Sequence, residues 1–142
     1  TALVEVGQTL QAHDMLDDTC SLKEGCIGGL IVGSTKGSLA IDLEFAKTMQ
    51  EGPGMASPHL FGYTLPNIPL AEAAIAYGLI GPVFSLISEE PYEEALLEAQ
   101  RWLNELPGKT TFMVAGALDV DPSGESTKLT AKVNVLQNAC IS

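Results

Sequence analysis

Ser88, Glu89, Glu90 and Pro91 stand where a short apolar run gives way to a long amphipathic one, a place at which a reactive group can sit at the start of a helix. A hydroxyl there attacks a carbonyl only if a base takes its proton, and a carboxylate there can act as a general acid or base. The sequence has two histidines, His13 and His59, and both fall in predicted loops. Ser88 therefore lacks a neighbouring base and reads as a helix-capping hydroxyl. Glu89 and Glu90 read first as charges that favour a helix start by about 0.3–1 kcal/mol each, because an acid with a raised pKa would need burial. Cys20, Cys26 and Cys140 are odd in number and lack metal-ligand spacing. They read as reduced, mostly buried thiols, with a Cys20–Cys26 bridge as the alternative. The run "GSTKGS" at 33–38 lies between a strand and a helix but lacks the spacer of a phosphate-binding loop, so a nucleotide-binding loop is not expected there. Asp119, Asp121 and Glu125 could hold a weak calcium ion, although a solvated acidic turn fits their spacing better. No cofactor or resident metal is expected.

These residues depend on elements that hydrophobic periodicity outlines. Leu3, Val6 and Leu10 recur at helical spacing within 2–12, and the polar, acidic stretch 13–25 reads as a loop. "CIGGLIVG", 26–33, has the continuous apolar character of a strand buried on both faces. A helix follows over 38–50, with Ser38 as N-cap and Leu39, Leu43, Ala46 and Met49 on one face. The breaker-rich "EGPGMASP" is a loop. Residues 66–78 read as a mostly buried helix opened by Pro69 and closed by Gly78, 82–88 as a strand, and 91–106 as the clearest helix of all. The apolar face of that last helix runs through Tyr92, Ala95, Leu96, Ala99, Trp102, Leu103 and Leu106. Strands at 110–120 and 128–139, joined by a short turn, form an antiparallel hairpin. The alternation of strands and helices predicts an α/β fold with a largely parallel sheet covered on both faces.

The 142 residues predict one domain spanning 1–142. With 46% apolar and 18% charged residues there is material for a core, which excludes disorder as the main state. A net charge of −11 disfavours nucleic-acid binding and anionic lipid. No apolar run is long enough to span a bilayer, and the first residues lack a signal-peptide pattern, so a cytoplasmic location is expected.

Several stretches carry a resemblance. "SPHLFGYTLPNIPLAEAAIAYGLIGPVFSL" resembles the segment ahead of the nucleophile in β-ketoacyl synthases, the condensing enzymes of fatty-acid and polyketide assembly. "GLIVGSTKGS" and "TFMVAGALDV" resemble the second and fourth strands of that family, and "SGESTKLTAKVNVL" is similar to the strand closing its first half. The match covers nearly the whole chain but only the N-terminal half of the family's length. The strand that opens the family's half-domain has no counterpart ahead of 2–12. The resemblance implies a thiolase-like half-domain, three-layer α/β/α, with a mixed sheet of four to five strands whose last strand is antiparallel. It also implies that the nucleophilic cysteine position falls on Glu90, which cannot carry an acyl thioester, and that the family's two catalytic histidines, drawn from its second half, are absent.

Three functions follow. The first is a ketosynthase-like half-domain without condensing activity of its own, linked to fatty-acid or polyketide assembly. It would act as a dimerising or partner subunit, because the family pairs subunits through the strand equivalent to 82–88. The partner would be a second copy, another ketosynthase-type subunit or an acyl carrier protein, although the charge of −11 disfavours an acidic carrier. The second is one half of a split β-ketoacyl-acyl carrier protein synthase completed by another chain. The third is a stand-alone small-ligand binding protein with a pocket between the helix at 66–78 and the strand at 82–88.

Overall fold

The computed structural model describes residues 2–105, 110–121 and 128–137. The elements are α1 (Ala2–Ala12), β1 (Gly28–Ser34), α2 (Leu39–Thr48), α3 (Pro58–Tyr63), α4 (Ile68–Tyr77), β2 (Val83–Ile87), α5 (Pro91–Glu105), β3 (Phe112–Asp121) and β4 (Lys128–Gln137). Two single 3₁₀ turns, Met49–Glu51 and Pro53–Met55, connect α2 to α3. The strands form one mixed sheet in the order β2-β1-β3-β4. β1 runs parallel to both β2 and β3, and β4 closes the sheet antiparallel to β3.

The alternation of side chains along β1 and β3 explains why both strands are apolar throughout. Leu30, Val32, Phe112 and Val114 face a cluster with Val6 and Leu10 of α1 and Leu70 and Ala73 of α4. Ile31, Met113 and Ala115 face the other way, onto Ala95, Ala99 and Leu103 of α5. The sheet is thus the middle of three layers. Burial of each large side chain contributes about 1.5–3 kcal/mol before chain entropy is counted. The alanines of α5 let that helix lie close to the sheet, and Phe84 of β2 and Trp102 of α5 meet at its margin with ring centroids 6.3 Å apart. Gly78 ends α4 in the left-handed region, at φ 74°, as its place after the helix anticipates.

Three expectations need correction, and the packing of α2 adds a finding. The helix at 38–50 forms, but nothing on α2 is buried: Leu39, Leu43 and Met49 are each more than 40% exposed. α2 packs on α3, where the Phe45 and Phe61 rings stand 5.6 Å apart. Ser38 does not cap a backbone N–H with its side chain; its hydroxyl donates to Asp42 Oδ2 at 3.1 Å. His59 is not in a loop, because Ser57 caps a short helix with Pro58 in its first turn and His59 lies within it. The helix at 66–78 is only half covered: Leu70, Ala73 and Ala74 are buried, whereas Ile75 is 83% exposed. Among the described residues no helix is long and apolar enough to cross a membrane.

Candidate functional site

The C-terminal ends of β1, β2 and β3 gather three features: the β2–α5 junction, the loop after β1, and a cleft beneath α4. At the junction the Ser88 N–H donates to the Ser34 carbonyl at 3.1 Å, which continues the β1–β2 ladder by one step. Ser88 Oγ accepts from the Glu90 N–H at 3.0 Å, and the Glu90 carbonyl accepts the Glu94 N–H at 3.0 Å as the first turn of α5. Ser88 is therefore not the N-cap; its hydroxyl closes a small turn two residues earlier, and Glu90 is the last residue before the helix. Glu89 and Glu90 are exposed. Glu93 and Glu94 follow in the first turn, where their charge complements the helix dipole.

The other candidate groups lie elsewhere. His13 follows α1, with its Nδ1 2.9 Å from the Thr9 carbonyl, and His59 stands edge-on to the Tyr63 ring at 5.2 Å. Among the described residues, neither bonds to Ser88, Glu89 or Glu90. Cys26 precedes β1, at the opposite end of the parallel strands from Glu90, and is half-buried. Cys20 is exposed, contrary to the expectation of a buried thiol, and both cysteines are free, so they form no bridge with each other. Cys20 adopts φ 60° in a tight turn organised by Asp17. The Asp17 carboxylate accepts the Thr19 hydroxyl and the N–H groups of Ser21 and Thr19, which holds its pKa below the usual range. Cys140 lies outside the described residues.

The loop at 33–38 is structural because its donors are used internally. Asp119 on β3 accepts the Ser34 hydroxyl at 2.7 Å, the Thr35 N–H at 2.8 Å and the Thr35 hydroxyl at 3.1 Å. Ser34 Oγ in turn accepts the N–H groups of Lys36 and Gly37. A phosphate in this loop would meet a carboxylate and few free donors. Asp119 thus faces this loop, whereas the side chain of Asp121 and all of Glu125 fall outside the described residues. Partial burial raises the Asp119 pKa, but the hydrogen bonds from Ser34, Thr35 and the Lys36 backbone outweigh it, and the net shift is downward. A depressed folded pKa contributes stability that is present above the ordinary value near 3.8 and lost as pH falls through the lower folded value. D119A is expected to be less stable than the parent at neutral pH by about 1 kcal/mol, since three acceptor contacts at a partly exposed site are lost. Urea unfolding at pH 7 and again near pH 3 checks this: the gap between the two proteins narrows in acid.

Between α4, α3 and the strand ends runs a cleft of about 120 Å³, lined by Val32, Tyr63, Pro66, Leu70, Ser85 and Ile87 among others. It lies where the sequence reading set a pocket, but it is smaller than the ~300 Å³ at which ligand pockets usually begin. Tyr63 at its rim donates to the Glu72 carboxylate, and that bond holds the phenol above its ordinary pKa.

Two positioning residues escaped the sequence reading. Asn67, at the N-cap position of α4, makes no cap bond; its Oδ1 accepts the Ser85 N–H at 3.0 Å and the Ser85 hydroxyl at 2.7 Å. Gly33 lets the start of α5 rest on β1, since a Cβ there would run into the Pro91 carbonyl, with the carbonyl carbon at 2.8 Å. A glycine at a strand end signals such close approach but does not name its neighbour.

No protein-family profile matches the chain, and no curated protein matches it. Solved structures share its architecture, two of them as follows. The ishigamide ketosynthase/chain length factor is similar at 17% identity with a TM-score of 0.69, over 90% of this chain and 41% of that one. The ketosynthase ApeO in complex with its chain length factor ApeC, from Xenorhabdus doucetiae, is similar at 14% identity with a TM-score of 0.66, over 94% of this chain and 54% of that one. The chain spans about half the length of these neighbours. Three layers, a four-stranded mixed sheet among the described residues, an antiparallel last strand and this likeness together identify the fold as the ketosynthase-like, thiolase-type α/β architecture.

Proposed function

We propose that this chain is a ketosynthase-like partner subunit, without condensing activity of its own, that pairs with a second copy or with another ketosynthase-type subunit in fatty-acid or polyketide assembly. The observation that carries the reading is Glu90. In a fold shared with ketosynthase/chain length factor pairs, a carboxylate precedes the long helix after β2, at the position that the resemblance of the sequence to β-ketoacyl synthases implies for the nucleophile. A carboxylate there cannot hold an acyl thioester, and its charge opposes a malonyl group. Neither histidine bonds to the junction, and both described cysteines are remote from it. β2 lies at the free edge of the sheet and supplies a docking edge. A single domain over 1–142 fits this role.

Incubation with malonyl and acyl thioesters is expected to leave the peptide spanning residues 88–92 unmodified by mass spectrometry and to yield no condensed product. Recovery of an acylated 88–92 peptide overturns the reading. The cleft beneath α4 favours a second reading, a small-ligand binding protein. Its apolar walls and the hydroxyls of Tyr63 and Ser85 suit a compact, mainly apolar molecule.

A further inference from the structure

Among the described residues, β2 is joined to the sheet on one side only. The Pro82 carbonyl accepts the Leu30 N–H at 2.8 Å, and the Ser88 N–H donates to the Ser34 carbonyl at 3.1 Å. In a parallel pair this phase repeats every second residue, so Phe84 and Leu86 turn their backbone groups to β1. Val83, Ser85 and Ile87 turn theirs outward. A free edge of this kind accepts another strand unless something covers it. Here the central outward N–H, that of Ser85, is already taken by Asn67 Oδ1 at 3.0 Å, with a second bond from the Ser85 hydroxyl at 2.7 Å.

The occupant that fits this edge is a second copy of the same strand. Antiparallel pairing about a two-fold axis at Ser85 sets Phe84 opposite Leu86 and Val83 opposite Ile87, so apolar residues meet apolar residues. Glu89 and Glu90 then fall opposite Gly81 and Ile80, so carboxylate does not meet carboxylate despite the net charge of −11. Ser85 would pair with Ser85 of the other copy through their outward N–H and C=O groups. The carbonyl of that Ser85 would stand where the Asn67 oxygen stands now.

We propose that Asn67 is a gate on the β2 edge: its side-chain oxygen occupies the position of a partner strand's carbonyl, and strand pairing with a second copy proceeds only when it is released. The gate rests on the reading of β2 as the docking edge and adds a regulator to it. Release is a side-chain rotation at the residue before α4. Because Asn67 makes no cap bond to that helix, its departure leaves the helix start intact. In a symmetric pair two gates open at once, so their effect on association is doubled in free energy.

The test measures self-association by sedimentation equilibrium for the parent chain, N67A, N67S, S85P and the double variant N67A/S85P, each checked for a native circular dichroism spectrum. Serine at 67 keeps a polar helix start with a side chain too short to reach Ser85, and serves if the alanine variant folds poorly. The expected result is a dimer constant tightened roughly tenfold in N67A and N67S, from one competing backbone N–H bond removed in each of the two copies. S85P lacks the outward N–H and is expected to abolish that gain in the double variant. An unchanged constant in N67A and N67S overturns the gate, and so does tightening that survives in the double variant. The docking reading fails by a different result: S85P leaves association of the parent chain, with itself or with a ketosynthase-type subunit, unaffected.

Discussion

E90C is expected to acquire a thiol that alkylates about tenfold faster than Cys20 at pH 7. Position 90 is exposed and immediately precedes a fifteen-residue helix, whose N-terminus carries roughly half a positive charge. Thiols at such ends ionise more readily than the ordinary pKa of ~8.5 allows, and the thiolate is the reactive species. Cys20 is an internal reference, exposed in a turn and remote from any helix start. Glu93 and Glu94 in the first turn oppose ionisation, so E90C/E93Q/E94Q is expected to react faster still. Timed iodoacetamide labelling followed by peptide mass spectrometry gives the two rates side by side. Equal rates for residues 90 and 20 would mean that the junction does not activate a nucleophile, and that Glu90 does not occupy a nucleophile's position. Condensation is not expected even from E90C, because neither histidine reaches the junction.

G33A is expected to lose about 3 kcal/mol or more of stability, because its methyl group would overlap backbone and not a flexible side chain. The Pro91 carbonyl belongs to the first turn of α5, so relief requires the helix start to lift from β1. Lifting it strains the Ser88–Ser34 backbone bond and displaces Glu90 as well. G62A is the control: a Cβ at Gly62 meets nothing within 4 Å, and Gly62 lies inside α3, where alanine is favoured by up to about 1 kcal/mol. Guanidinium unfolding of both variants checks the contrast. Equal midpoints would show that the α5 start does not depend on close approach to Gly33.

What was legible in the sequence was whatever periodicity encodes. β1 announced itself as an unbroken apolar run because both its faces are covered, and α5 because Ala95, Ala99 and Leu103 return to one face at helical spacing. The β3–β4 hairpin was readable because its strands are neighbours in sequence. α2 was readable as a helix, but an apolar stripe at helical spacing says that a helix has a sticky face, not what covers it; Leu39, Leu43 and Met49 remain exposed. The site was less readable than the fold. Asn67 meets Ser85 across eighteen residues, and Asp119 meets Ser34 across eighty-five; each is an ordinary polar residue until the chain brings its partner. Glu90 was legible as a candidate at a strand-to-helix junction, but only the resemblance of whole segments implies a nucleophile's position for it, since a carboxylate before a helix is chemically unremarked on its own.

The pairing of β1 with β3 has a consequence for birth of the protein on the ribosome. Ile27 and Thr111 exchange hydrogen bonds across eighty-four residues, so the strand Gly28–Ser34 emerges long before the neighbour that covers its second side. At about 5–20 residues per second that wait lasts several seconds or more. Throughout it, Leu30, Ile31 and Val32 form an open template to which a nascent chain on an adjacent ribosome can add. Chaperone contact during synthesis would concentrate there, and slowing translation between residues 34 and 112 would cost more soluble protein than slowing it after β3.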